Sequence, residues 1–255
     1  MKGGLQVSLF KLSNHIFNLG LTAKELSVYA YLCSLPSVQN TIDDKAVVKV
    51  KQTTIAENCC IKAAQTVSAI ITRLAEKGVI DVLERSFNAV HHKATYTYAV
   101  KKLSVTTEYF FVDRQAFGKL NTRQMAVYLF LCKAYDHNRR DSWNSYNDIS
   151  NTLHMKRENV IQTVSELVVM KFIVRMKRKS KENRKMYVDN HYQLITYVVG
   201  HIRKKGIKKV CMHSDCIHTL VMKHIHNERD YKYYNSLIGK SQYVFENFFH
   251  SRGSP

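Results

Sequence analysis

Between Ile55 and Ile80 the apolar residues recur with the period of a helix. Val67, Ile70, Ile71 and Leu74 occupy i, i+3, i+4 and i+7, one face of a 3.6-residue turn. The opposite face carries Lys62, Gln65, Ser68, Thr72 and Arg73, side chains able to reach phosphates and base edges. A shorter helix precedes this one across a tight turn. Gly78 marks the helix end, because glycine accepts a positive φ without a Cβ penalty. From Val79 the pattern becomes that of strands: Val79-Ile80-Asp81-Val82-Leu83, then ERSFNAVHHKA, then the alternating run TYTYAV. Helix, turn, helix and a two-stranded ribbon predict a winged helix.

The pattern then returns. LTAKELSVYAYLC from Leu21 reappears as LNTRQMAVYLFLC from Leu120, 99 positions later. Leu21, Val28, Tyr29, Leu32 and Cys33 correspond to Leu120, Val127, Tyr128, Leu131 and Cys132. Upstream, Phe10 and Phe17 match Phe110 and Phe117, with the spacing shifted by one. Downstream, NDISNTLHMKRENVIQTVSELVVMKFI repeats the helix-turn-helix, with Val160, Thr163, Val164 and Leu167 on its apolar face. A period this long indicates a duplicated domain, since solenoid periods are about 20 to 50 residues. The expected organisation is a first winged-helix domain over residues 1–105, a second over 106–196 and a small helical unit over 197–255. The fold class is α+β, mainly helical, with tandem winged helix-turn-helix domains.

Local signals fill in the elements. Residues 1 to 20 read as a lead-in strand or short helix. Thr22 with Glu25 forms a capping-box pattern, and the helix it opens ends near Leu35-Pro36. VVKVKQ is a short strand leading into Thr53-Thr54, the N-cap region of the next helix. In the second copy, Asp141-Ser142-Trp143-Asn144 reads as a loop, and the wing ends near Tyr187-Val188, with Tyr192 to Ile195 as a candidate extension. After Thr196 the repeat stops. ITYVVGHIRKKGIKK is apolar then basic, and YKYYNSLIGKSQYVFENFF is aromatic-rich.

Charge narrows the class of partner. Lys and Arg number 39 against 20 Asp and Glu, a net charge of +19. Polyanions are the obvious partners, nucleic acid first and an anionic membrane surface second; the expectation taken forward is double-stranded DNA and no membrane. Between Lys171 and Lys209 lie 13 basic residues against Glu182 and Asp189. Arg175, Lys177 and Lys179 alternate along a predicted strand, and the rest crowd the turn SKENRK, a shape suited to a phosphate backbone. Six cysteines include Cys33 and Cys132 at matching core positions, which predicts buried thiols and a reducing, cytoplasmic setting. No run has the length of a transmembrane span, and no signal peptide is seen.

In a helix-turn-helix the second helix enters the major groove with its N-terminal residues against base edges. Those are Lys62, Ala64, Gln65 and Ser68 in the first copy, and Lys156, Arg157, Asn159 and Gln162 in the second. Arg grips guanine with two bonds, and Asn or Gln grips adenine with two, so the second set is the better reader. The wings are expected to hold phosphates: His91, His92 and Lys93 in the first, Arg175, Lys177, Arg178, Lys179, Lys181, Arg184 and Lys185 in the second.

FKLSNHIFNLGLTAKELSVYAYL, followed by the helix-turn-helix ending TRLAEKGVI, resembles the N-terminal domain of RepA-type replication initiators of plasmids and conjugative elements. The resemblance covers roughly residues 8 to 83 well and the second copy more weakly. It implies a winged helix that binds repeated sites at a replication origin. The turn in CCIKAAQTV runs one residue longer than the family pattern, and Ala63 and Ala64 stand where polar and basic residues are common. Two adjacent winged helices also resemble the other large class of plasmid initiators, which use both on one iteron.

Other chemistry fits less well. Cys211, His213, Cys216 and His218 are zinc-ligand types, but their spacing matches no usual zinc signature. His224-Ile225-His226 has the His-hydrophobic-His form of rolling-circle nucleases, with Tyr231, Tyr233 and Tyr234 as nucleophile types. That chemistry needs both histidines on a strand, whereas their surroundings read as helical. No phosphate-binding Walker loop is present. The expectation is a non-enzymatic, sequence-specific duplex DNA-binding protein, replication-initiator-like, with no metal or cofactor. A transcriptional regulator of the same fold is the alternative, and a metal-dependent nuclease is the least favoured. The C-terminal unit would serve self-association or a replication-protein partner.

Overall fold

The computed structural model describes residues 9–38, 45–88, 93–139, 141–179 and 187–195. The chain opens with β1 (Leu9–Ser13), a 3-10 segment (Asn14–Leu19) and α1 (Ala23–Ser34). β2 (Ala46–Val50), α2 (Gln52–Asn58), α3 (Ala64–Glu76), β3 (Ile80–Asn88) and β4 (Lys93–Val100) follow. The same order then recurs: β5 (Tyr109–Asp113), a 3-10 turn (Arg114–Ala116), α4 (Thr122–Lys133), β6 (Ser142–Asn144), α5 (Tyr146–Leu153), α6 (Arg157–Val169), β7 (Ile173–Lys179) and β8 (Tyr187–Leu194). The architecture is α+β with small antiparallel sheets: β2-β4-β3, β6-β8-β7 and the ribbon β1-β5.

The capping signals act where they were read. Thr22 Oγ1 accepts from the Glu25 N–H, and Glu25 Oε2 accepts from the Thr22 N–H. Asn121 and Gln124 form the same box on α4. Gly78, at φ 67°, ends α3 in a Schellman turn, with its N–H on the Ala75 carbonyl and the Val79 N–H on Leu74. Three expectations are corrected. α2 starts at Gln52 from Lys51, with no side-chain cap, rather than at Thr53-Thr54. Ser142–Asn144 forms a strand rather than a loop, because β8 supplies its partner. The wing does not end near Tyr187: that residue begins β8, the central strand of the β6-β8-β7 sheet, which runs on through Tyr192 to Leu194.

The two copies meet through β1 and β5. Phe10 pairs with Val112, Leu12 with Phe110, and Lys11 with Phe111 at the centre. Since Phe10 matches Phe110 and Leu12 matches Val112, exchanging the copies reproduces the pairing. The aromatic contacts obey the same exchange. Phe10 meets Phe117 at 6.1 Å and Phe17 meets Phe110 at 6.2 Å; Tyr31 meets Phe117 at 5.2 Å and Phe17 meets Phe130 at 6.1 Å. An approximate two-fold axis therefore passes near Lys11 and Phe111. α1 and α4 pack across it, and one hydrophobic core runs through both copies. Arg114 reinforces the junction by donating to the Ser34 carbonyl at the C-terminus of α1.

Candidate nucleic-acid interface

Each copy builds the same turn between its short and long helices. Cys60 at φ 50° and His154 at φ 49° adopt the left-handed conformation, and the next N–H bonds back into the short helix: Ile61 to Ala56 O at 2.8 Å, Met155 to Ser150 O at 3.0 Å. Ile61 and Met155 then rest against the core. Lys62 and Ala63 separate Ile61 from α3, whereas Lys156 alone separates Met155 from α6. The first turn is thus one residue longer than the second. Cys59 is buried beneath it, and burial pushes its thiol up to about 12. Among the described residues, Cys33, Cys59, Cys60 and Cys132 form no disulfide; Cys132 is buried and Cys33 half-buried.

α3 buries Val67, Ile70, Ile71 and Leu74 and exposes Lys62, Gln65, Ser68 and Thr72. α6 buries Val160, Thr163, Val164 and Leu167 and exposes Lys156, Arg157 and Gln162, with Asn159 half-buried. Gln65 and Ser68 thus share the outward face of α3, while on α6 Gln162 faces outward and Arg157 and Asn159, two positions apart, flank it on opposite sides. Both helices begin at residues that supply no side-chain cap, Ala63 and Lys156, whereas α1, α4 and α5 each carry a full capping box. Uncapped N-terminal amides and the positive end of the helix dipole favour an anion there. With Lys62 beside one start and Lys156 and Arg157 at the other, these helix ends are suited to phosphate.

Some residues have protein partners that the sequence did not show. Arg73, read as part of the exposed face of α3, donates to Glu25 Oε1 at 2.8 Å. Arg175 is half-buried and donates from Nη1 to the Tyr146 hydroxyl at 2.6 Å. Arg157 lies over the same Tyr146 ring, 5.8 Å from its centroid. Tyr146 thus links the start of α6 to β7, and no motif pointed to it. Gln162 donates to Glu166 Oε1 at 2.9 Å. Arg85, 5.8 Å from the Tyr96 ring, and Arg139, 4.0 Å from the Trp143 ring, are exposed basic residues outside the predicted set. Lys177, Arg178 and Lys179 fall on β7 and Lys93 opens β4, which places them on the ribbons. His91, His92, Lys181, Arg184, Lys185 and the whole unit 197–255, with its Cys/His and Tyr clusters, lie outside the described residues. No described helix is long and apolar enough to cross a membrane.

No protein-family model matches this sequence, and no curated protein does. Among solved structures the chain is similar to one titled "Crystal structure of Pi initiator protein in complex with iteron DNA", at 11% identity and a TM-score of 0.46, over 75% of this chain and 98% of that one.

Proposed function

We propose that the chain is a sequence-specific duplex DNA-binding protein made of two winged-helix modules, and that it acts as a replication initiator of a plasmid or conjugative element. The observation that carries this reading is the pairing of α3 with α6. Each is the second helix of a helix-turn-helix, exposes a polar and basic face, starts without a side-chain cap, and is followed by an antiparallel ribbon. A net charge of +19 supplies the attraction to phosphate that such a protein needs. α6, with Arg157, Asn159 and Gln162, reads bases; α3, with Lys62, Gln65 and Ser68, contributes fewer base contacts. Lys93 in the first ribbon and Lys177, Arg178 and Lys179 in the second hold the backbone, and the same role is assigned from sequence to His92, Lys181, Arg184 and Lys185.

The approximate two-fold axis adds an orientation. Two helices related by it approach adjacent major-groove segments with opposite strand polarity, about 34 Å apart. The half-sites are then inverted in orientation but different in sequence, because KAAQTVS and MKRENVIQ are chemically unlike.

Footprinting of the full chain on fragments of its native element tests the proposal. Protection of more than one helical turn at iterated sites in an origin is expected, and inserting half a turn between half-sites should abolish joint protection. Protection confined to a promoter would make the chain a transcriptional regulator instead. Metal-dependent cutting of a single strand would overturn the non-enzymatic assignment.

A further inference from the structure

Gln162 stands at the end of a directed hydrogen-bond chain. The Asn121 N–H donates to Gln124 Oε1 at 3.0 Å. Gln124 Nε2 donates to Glu166 Oε2 at 2.8 Å. Gln162 Nε2 donates to the other carboxylate oxygen, Oε1, at 2.9 Å. Gln124 is only 8% exposed, and its amide is fixed because its oxygen is already taken by a backbone donor. That leaves its nitrogen facing Glu166. An ionised carboxylate only accepts, so Gln162 must also present its nitrogen. A flipped Gln162 amide would set two acceptors against each other.

The first copy has the same scaffold with a different outcome. Thr22 and Glu25 replace Asn121 and Gln124, and Arg73 replaces Glu166. Arg73 closes on Glu25, and the position matching Gln162 is Ala69, which has nothing to hold. In the first copy the chain ends at Arg73, whereas in the second it passes through Glu166 to one more side chain, Gln162.

We propose that Glu166 is a positioning residue that sets base specificity through Gln162. This rests on the reading of α6 as the base-reading helix. With one amide hydrogen bound to Glu166, Gln162 offers its carbonyl oxygen and its second amide hydrogen outward. That acceptor and donor match the N6 amino group and N7 of adenine. Gln162 therefore reads adenine in one fixed orientation, with its rotamer chosen before DNA arrives.

Two measurements on the full chain test this, and E166Q is the isosteric probe. Its single carbonyl oxygen can serve only one of the two amides. In the free protein, the Gln162 side-chain amide, identified by its loss in Q162A, should give a shifted and slowly exchanging proton signal by NMR. In E166Q that signal should move to the position of a solvated glutamine. In selection from a random duplex library, wild type should show an adenine preference at one base pair that Q162A removes. E166Q should weaken that preference by about tenfold and leave the other positions and the salt dependence unchanged. A solvated Gln162 signal in wild type overturns the inference whatever the DNA result. A shifted signal with no duplex enriched by wild type overturns both it and the DNA-binding proposal. A shifted signal with an E166Q site identical to the wild-type site overturns the inference and leaves DNA binding standing.

Discussion

Arg73 Nε donates to Glu25 Oε1 at 2.8 Å, tying the last turn of α3 to the first turn of α1. Lys77 Nζ reaches Glu25 Oε2 at the same distance. The Glu25 side chain is 2% exposed, so burial alone would raise its pKa. Lys77, the Thr22 N–H and Arg73 more than offset this and hold the carboxyl at about 2, against an ordinary 4.5. A carboxylate whose pKa falls on folding stabilises the fold above its unfolded pKa and loses that contribution as pH falls towards its folded one.

The first prediction follows from that sign. Wild type should exceed E25Q in stability by about 3 kcal/mol at neutral pH. The difference should shrink as pH drops from about 4.5 to about 2. Urea unfolding at a series of pH values measures it. Parallel curves for the two proteins would show that Glu25 carries no net charge-dependent stabilisation.

Lys171 provides the second. It occupies the position of Gly78, at φ 60°, and ends α6 with the same pair of bonds, Lys171 N–H to Val168 O and Phe172 N–H to Leu167 O. A side chain in the left-handed region costs roughly 1 kcal/mol. K171G should therefore raise stability by about 0.5–1 kcal/mol, and G78A should lower it by a similar amount. A Cβ at Gly78 would meet nothing within 4 Å, so that loss reflects the backbone alone. Thermal unfolding of both variants should show opposite shifts in Tm.

These two sites show how far sequence alone reaches. The Thr22–Glu25 box was readable because its partners lie three residues apart, and Gly78 because glycine advertises a positive φ. Lys171 takes the same conformation without that signal, since tertiary packing of α6 and β7 imposes it. Glu166 and Tyr146 went unread because their roles come from partners distant in sequence, Gln124 and Arg175, 42 and 29 residues away. Ser142–Asn144 has the composition of a loop and becomes a strand only when β8 arrives.

For base reading, R157A and N159A should each weaken binding to the selected site by about 1–3 kcal/mol and change random-sequence binding little. Titration of both DNAs at one salt concentration measures the contrast. Equal losses on the two would restrict α6 to backbone contact.

For the second ribbon, replacing Lys177, Arg178 and Lys179 together should weaken binding to every sequence alike. The slope of log K against log salt should shrink by roughly 0.9 for each lost phosphate contact. Arg175 stays unaltered in this variant, because its bond to Tyr146 gives it a separate structural role. An unchanged slope would remove these three lysine and arginine side chains from the interface.

The β1–β5 ribbon bears on how the chain folds. Leu9 pairs with Asp113, and Phe17 completes its packing only against Phe110 and Phe130. Such pairings raise contact order and slow folding, since the loop between them must close first. As synthesis proceeds from the N-terminus, Phe10 and Phe17 emerge well before Phe110, Phe117 and Phe130 exist. The first copy must wait with an unfinished aromatic surface, the state most prone to aggregation or to swapping β1 into a neighbouring chain.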